Sequence, residues 1–240
     1  MIEKLRQIIN ESENIVFFGG AGVSTESNIP DFRSETGIYN TLKNYGYPPE
    51  TLLSHSFFTR SPKQFYEYYK NNLILRDAEP NAAHYALAEM ERRAKVSAVI
   101  TQNIDGLHQK AGSKNVIELH GSVYRNYCIQ CRKTFSLDYV MESQDVIPSC
   151  SHCGGIVRPD VVLYEEELDM AVIHHAIKSI SMADVLIIGG TSLVVYPAAG
   201  LVQYFKGKKL VLINKSATQY DSKADLVIND SIGKILGSLV

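Results

Sequence analysis

The sequence predicts an α/β fold, a doubly wound parallel sheet carrying a smaller part made from two insertions. Three observations predict it. Short continuous runs of aliphatic and β-branched residues end in glycine, amide or histidine residues. Stretches with helical apolar spacing lie between those runs. Two segments, Pro30 to Pro80 and Ser122 to Val157, break the alternation.

Taken in order, Ile15-Val16-Phe17-Phe18 runs into Gly19-Gly20-Ala21-Gly22, and Val96 to Thr101 runs into Gln102-Asn103-Ile104-Asp105-Gly106. Val116-Ile117-Glu118-Leu119 is followed by His120-Gly121. Val185-Leu186-Ile187-Ile188 precedes Gly189-Gly190-Thr191-Ser192, Leu210-Val211-Leu212-Ile213 precedes Asn214, and Leu226-Val227-Ile228 ends at Asn229. Runs without polar alternation suit strands covered on both faces, hence parallel strands. Between them, Asn81 to Arg93 places Ala82, Ala86 and Met90 at four-residue spacing, and Leu168 to Ile180 places Ala176, Ile177 and Ile180 on one face. Ala198 to Phe205 follows Pro197, a residue suited to a helix's first turn. Pro30 to Pro80 is aromatic and carries turn signals such as Tyr47-Pro48-Pro49, so it is expected to form loops and short helices.

Composition narrows the function. The chain has 240 residues, 45% apolar and 21% charged, with a net charge of −2. No basic footprint for nucleic acid is present, and no apolar run approaches the roughly 20 residues of a membrane span. Met1-Ile2-Glu3-Lys4-Leu5-Arg6 lacks the apolar stretch of a secretory signal. A cytoplasmic protein is expected, with neither membrane nor nucleic acid as partner.

All four cysteines, Cys128, Cys131, Cys150 and Cys153, fall in the second insertion as two C-x₂-C pairs with eighteen residues between them. Zinc sites allow about 15–20 residues at that point. Two tight knuckles can close a tetrahedron of thiolates around one ion, and four protein ligands leave no position for a reacting water. A structural zinc is expected. Buried cysteine pairs or a redox C-x-x-C are the alternatives, but a redox pair needs no second pair at this spacing. His152, inside the second knuckle, is expected to be exposed.

Gly20-Ala21-Gly22-Val23-Ser24-Thr25 follows a strand and is expected to open a helix, a context for phosphate binding by backbone N–H groups. Thr25 stands where a dinucleotide fingerprint has its third glycine, and no acid ends the second strand. A plain strand-to-helix turn therefore stays open as a reading of this motif alone. Asn28-Ile29-Pro30-Asp31-Phe32-Arg33, Thr101-Gln102-Asn103-Ile104-Asp105, Gly190-Thr191-Ser192 and Asn214 add polar groups at further strand ends. Ligands of open α/β sheets bind outside those ends. Of seven histidines, His120 sits at a strand end just before the cysteine module. Near its ordinary pKa of about 6.5 it can take a proton at neutral pH. His55, His84, His108, His174 and His175 show no comparable surroundings in the sequence.

Together these motifs, with Arg158-Pro159-Asp160-Val161-Val162 and Ile213-Asn214, resemble the sirtuin family in order along nearly the whole chain, most closely its short bacterial members. The resemblance implies a Rossmann-like part over about 1–30, 80–121 and 158–240, and a small part from a helical insertion at 31–79 and a zinc module at 122–157. It implies NAD as a consumed co-substrate and acetylated protein lysines as partners. The acyl oxygen would attack the ribose carbon bearing nicotinamide, which leaves. His120 would then deprotonate a ribose hydroxyl so that its oxygen attacks the acyl carbon, giving free lysine and O-acyl-ADP-ribose.

By the same resemblance, Ala21, Gly22, Thr25, Gly190, Thr191, Ser192, Asn214 and Ile232 line the dinucleotide site. Phe32 and Arg33 belong to a loop covering ribose and nicotinamide. Gln102, Asn103, Ile104 and Asp105 form the ribose and nicotinamide pocket. Val162 contacts the acyl-lysine stem, and a strand from Val161 to Tyr164 pairs with substrate backbone. Two departures stand out: Asn28 and Glu165 occupy places where the family usually has glycine. Asn tolerates left-handed backbone; the loss at Tyr164-Glu165-Glu166 bears on how the substrate loop bends. Family members that remove succinyl groups carry a Tyr-x-x-Arg pair; Tyr69 is followed by Asn72, and Arg76 is expected to lie too far along, so neutral acyl groups are expected to be preferred. Mono-ADP-ribosyl transfer, a dehydrogenase and a zinc-ribbon nucleic-acid module are the other classes. Thr25 and the missing acid disfavour the dehydrogenase, and the net charge disfavours the zinc ribbon.

Overall fold

The computed structural model describes residues 1–30 and 35–240. Its strands, in chain order, are β1 (Ile15–Gly19), β2 (Val96–Thr101), β3 (Val116–Glu118), β4 (Gly121–Cys128), β5 (Thr134–Ser136), β6 (Val157–Val161), β7 (Val185–Gly189), β8 (Lys209–Ile213) and β9 (Leu226–Ile228). Six of them form one parallel sheet in the order β3-β2-β1-β7-β8-β9. Every residue of β1 is buried. Ile15 and Phe17 enter one apolar layer, with Leu5, Ala83, Leu87 and Ile235. Val16 and Phe18 enter the opposite layer, with Ala176, Ile180 and Leu201. A strand covered on both faces has no use for polar alternation, which is why the run reads as continuous.

Strand order reverses between β1 and β7, the switch point at which open α/β sheets bind their ligands. Register places Gly19 beside both Thr101 and Gly189. The turns leaving β1, β2 and β7 therefore emerge at one level, and the cleft lies there.

Helices cover both faces. Asn81 caps the helix Ala82–Arg92: its side chain accepts from the Ala83 N–H at 2.9 Å, while His84 Nδ1 accepts from the Asn81 N–H at 3.2 Å. The Asn81 amide also donates to the Val23 carbonyl at 2.7 Å and the Ser27 hydroxyl at 2.9 Å, tying this helix to the glycine turn. Asp169 caps the helix Met170–Met182. Two expected helices are wound more tightly, with fewer residues per turn. Ala198–Tyr204 is 3₁₀, and the glycine turn is a pair of 3₁₀ turns, Ala21–Val23 and Thr25–Ser27. Thr25 Oγ1 bonds back to the Gly22 carbonyl at 3.0 Å, a local side-chain bond of the kind that competes with helix. Asn28 then ends the second turn in left-handed backbone, φ 61° and ψ 22°.

The segment from Glu35 is helical, as four pieces, Glu35–Tyr45, Pro49–Leu52, His55–Arg60 and Pro62–Tyr68, followed by a π-helical turn at Tyr69–Leu73. The cysteine module brings a second, antiparallel sheet, β5-β4-β6. Both insertions share one apolar core: Leu52, Phe57, Phe65 and Tyr66 pack with Val123, Leu137, Val140, Val157 and Leu163. The Tyr66 hydroxyl donates to the Val157 carbonyl at 2.6 Å. Among the described residues, no helix is long and apolar enough to cross a membrane.

Candidate active site and metal centre

The metal centre follows from two hairpin knuckles. Cys128 and Arg132 close the first: the Cys128 N–H donates to the Lys133 carbonyl at 2.9 Å and the Arg132 N–H to the Cys128 carbonyl at 3.0 Å. Cys150 and Gly154 close the second in the same way, at 2.7 Å to Gly155 and 2.9 Å from Gly154. Left-handed backbone at Arg132 and Gly154 makes these turns tight. The four sulfurs lie within 4.8 Å of one another, with Cys128 to Cys153 at 3.4 Å and Cys131 to Cys150 at 3.6 Å. Zinc–thiolate bonds of about 2.3 Å set tetrahedral sulfurs about 3.8 Å apart, so the quartet fits one zinc. His152 is exposed, as the sequence suggested. The sulfurs lie outside the cleft, and four thiolates fill the coordination sphere. The zinc is structural.

The cleft holds a cavity of about 320 Å³. Its polar end is built from strand ends. Ala21 and Ser24 come from the turn after β1, and Gln102, Asn103, Ile104 and Asp105 from the segment after β2. Ser24 is the hub. Its hydroxyl donates to Asp105 Oδ2 at 2.7 Å and accepts from the Asn103 amide at 3.0 Å. Burial pushes the Asp105 carboxyl above its ordinary pKa, and hydrogen bonds from the Leu107 N–H, Ser24 and Asn103 offset part of that.

A second polar patch adjoins the first. The Gln102 amide donates to Thr191 Oγ1 at 3.0 Å. Asn214 grips Thr191 by its backbone, accepting from the N–H at 3.0 Å and donating to the carbonyl at 2.9 Å. The Gly22 N–H donates to the Gly190 carbonyl at 2.8 Å. A Cβ on Gly190, whose φ is 60°, would stand 2.4 Å from Val23 N. Only glycine lets these two turns meet at the switch point.

His120 lines the same cavity. Its Nδ1 lies 2.8 Å from the Gln102 carbonyl. A carbonyl can only accept, so in the neutral ring Nδ1 carries the hydrogen and Nε2 carries the lone pair. The Val162 N–H donates to the His120 carbonyl at 3.0 Å, fixing the backbone as well. Ring and backbone are thus held by two different chain segments, as a proton acceptor needs.

The other end is apolar. Leu53, Tyr69, Leu73, Ile74, Val123, Leu137 and Leu163 line it. Val162 and Tyr164 lie along the wall. A strand running to Tyr164 is not what forms. β6 ends at Val161, and the Tyr164 backbone bonds instead to Leu53 and His55, both at 3.0 Å. Arg76 also lines the cavity, with its guanidinium held by Asp138 at 2.8 Å. Ile232 is core: its side chain is 3% exposed and packs under Gly189. Phe32 and Arg33 lie outside the described residues. Sequence reasoning passed over Val195, Tyr196 and Pro197, which line the cavity from the loop after β7; the signal was an apolar and aromatic run, Leu193 to Tyr196, in a loop.

Behind the polar end, His84 and His108 are buried with their rings 4.7 Å apart. Burial pulls the His84 pKa down to about 4. Burial, aided by the His84 charge, pulls His108 to about 3. These two do have distinctive surroundings, which the sequence did not show.

Comparison with known proteins agrees with this geometry. The Sir2 family pattern matches residues 20–197. An NAD-dependent protein deacetylase of Clostridium acetobutylicum is 64% identical over 239 residues, covering 100% of this chain and 98% of that protein. One of Clostridium perfringens is 64% identical over 240 residues, with the same coverage. Among solved structures, a Sir2 with a p53 peptide and NAD⁺ superposes with TM-score 0.90 at 37% identity, covering 100% of this chain and 97% of that one. A Sir2 bound to a propionylated peptide gives 0.88 at 36% identity, covering 100% and 99%. Ordered motifs, sheet switch point, cysteine quartet and full-length similarity lead to one conclusion, that the chain belongs to the Sir2, or sirtuin, family.

Proposed function

We infer that this chain is an NAD-dependent protein-lysine deacetylase, transferring the acetyl group of acetyl-lysine to ADP-ribose and releasing nicotinamide, lysine and O-acetyl-ADP-ribose. The observation that carries the residue assignment is the His120 ring, oriented by the Gln102 carbonyl inside a cavity polar at one end and apolar at the other. When bound, NAD supplies the ribose carbon attacked by the acyl oxygen, with nicotinamide as leaving group. Gly22, Thr25, Gly190, Thr191, Ser192 and Asn214, tied to the cavity through Gln102, would hold the dinucleotide. Ile232 contributes by supporting Gly189 from below. Asn103 and Asp105, fixed through Ser24, orient the ribose and nicotinamide. Val162 and Tyr164 flank the acyl-lysine. His120 Nε2 takes a proton from a ribose hydroxyl, whose oxygen then reaches the acyl carbon. We assign Phe32 and Arg33 to the covering loop by motif. The helical and zinc insertions form the small lobe, and a cytoplasmic location fits four reduced cysteines.

Incubation with NAD and an acetyl-lysine peptide tests this. Equal release of nicotinamide and deacetylated peptide is expected. ADP-ribosylated protein without deacetylation, or NADH absorbance, would overturn the reading. His120→Ala should cut deacetylation by about 10²–10⁴-fold while NAD still binds. Ordinary turnover by that variant would remove the base assignment.

A further inference from the structure

Glu165 has left-handed backbone, φ 76°, a region that disfavours any residue with a Cβ. Its side chain supplies what holds it there. Oε2 accepts the Ser56 N–H at 2.8 Å and Oε1 accepts the Ser56 hydroxyl at 2.9 Å. The neighbours fasten to the same segment. The Tyr164 N–H donates to the Leu53 carbonyl, and the Tyr164 carbonyl accepts from the His55 N–H. Glu166 accepts two bonds from Arg158, at 2.7 and 3.0 Å, one from the Leu163 N–H at 2.9 Å, and meets His55 Nδ1 at 2.8 Å. Three consecutive residues thus moor the end of β6 to residues 53–56 of the helical segment.

The moorings differ in kind. Tyr164 uses backbone, which any sequence supplies. Glu166 is shared between Arg158 of β6 and His55. Two side-chain links join the segments, His55 to Glu166 and Ser56 to Glu165, and in the second both carboxylate oxygens of Glu165 accept from Ser56. Glu165 and Tyr164 stand on the cavity wall. Ser24, Asn103 and Asp105 hang from β1 and β2 and bond to one another, while His120, after β3, accepts the Val162 N–H at its carbonyl.

We propose that the Glu165–Ser56 bridge is a latch that sets the peptide side of the cleft, making Glu165 and Ser56 positioning residues for acylated peptide and not for NAD. The proposal rests on the deacetylase reading. It stabilises a loop shape that glycine could adopt unaided, and it adds what glycine cannot, a fixed distance between the loop and the helical segment.

Steady-state kinetics of the full-length protein test it, with an acetyl-lysine peptide and NAD varied separately. Ser56→Ala and Glu165→Ala should each raise peptide KM by about three- to tenfold, with kcat and NAD KM moving less than about twofold. The double variant should be no worse than Glu165→Ala alone, the non-additivity of a directly bonded pair. Glu165→Gln, which still accepts a hydrogen bond, should recover most of the peptide KM. Glu165→Gly should melt higher than Glu165→Ala yet share its raised peptide KM. Additive effects, an unchanged peptide KM in a folded Glu165→Ala protein, or a wild-type KM in Glu165→Gly would each overturn the latch. Should Glu165 variants fail to fold, Ser56→Ala and Glu165→Gln alone decide: raised KM in the first and near-normal KM in the second support it, and no change in the first overturns it. Absence of peptide-dependent nicotinamide release from the wild-type protein would instead remove the deacetylase reading, and that is visible before any variant is made.

Discussion

Tyr69 shows how far a single residue can be followed. It is 1% exposed, lines the apolar end of the cavity, and its hydroxyl has no hydrogen-bond partner among the described residues. Leu73, Ile74 and Leu137 line that end, and Arg76 lines the same cavity with its guanidinium 2.8 Å from Asp138. A carboxylate brought there meets apolar surface and an occupied cation, which makes it costly to desolvate. Acetyl-lysine peptide should therefore exceed succinyl-lysine peptide in kcat/KM by about tenfold or more, since a missing charged hydrogen bond is worth roughly 1.5–3 kcal/mol. Asp138→Ala, by freeing Arg76, should narrow the gap. Equal turnover of the two peptides by the wild-type protein would show that a cation is already available, and loss of succinyl turnover in Arg76→Ala would identify it. The chain leaves the helix at Ile74, whose backbone is extended, so the position of Arg76 follows from the turn after Tyr69–Leu73 and not from helical spacing. The cysteine quartet was legible because its signal is local, a fixed spacing, and the place of His120 on the cavity because it sits at a strand end. Ile232 was not, because only packing shows that its side chain points under Gly189.

Elements were legible where one strand carries its own pattern. The strands of the parallel sheet are buried on both faces, so each appears as an apolar run. β4, β5 and β6 were not foreseen: their pattern is mixed and they exist through mutual pairing, as at Cys128 with Val157. The pairing of helix Ala82–Arg92 with the short helix Leu107–Lys110 was equally hidden, and it buries His84 against His108. Both rings are neutral in the fold, with pKa values of about 4 and about 3. The unfolded chain binds protons at about 6.5, so below that pH it takes up protons that the folded protein refuses. Stability therefore falls as pH drops from about 6.5 toward about 4, and is unaffected by these groups above that window. Thermal melts across pH 7 to 4 should show the decline, and His108→Phe should flatten it. A wild-type-like slope in that variant would shift responsibility to other groups. Glu166 acts in a lower window. Burial alone would raise its pKa, but bonds from Arg158, the Leu163 N–H and His55 hold it down to about 2. The stability it gives is present above about 4.5 and is lost as pH falls through about 2.

For the molecule as a whole, the zinc knuckles matter through the core they adjoin. Cys128 and Cys150 belong to the same apolar cluster as Phe57, Phe65 and Tyr66 of the helical segment. Loss of the metal should therefore loosen both insertions, including the Leu53–His55 segment that fastens Tyr164. Cys128→Ala, or removal of zinc by a chelator, should lower Tm by at least about 5–10 °C, given structural zinc energies on the order of 10 kcal/mol in small domains. Peptide affinity should fall with it, and NAD affinity should fall less. A metal-free protein with unchanged melting and turnover would remove this role for zinc. Fold class and cofactor were readable at this scale because they rest on element order and spacing. The joint core was not, since it unites segments some fifty residues apart.

β1 lies at the middle of the large sheet, and one of its flanks is supplied late. Ile15 pairs with Val185, 170 positions further along. A ribosome adding about 5–20 residues per second would take roughly 10–30 s to deliver that partner. Through that interval one edge of an entirely apolar strand stays open to other chains. Parallel pairing over such a separation also closes slowly once the partner arrives. Nascent protein should then be the aggregation-prone species, and fragments that stop short of Val185 should collect in inclusion bodies or on chaperones even though the finished molecule has no exposed central strand.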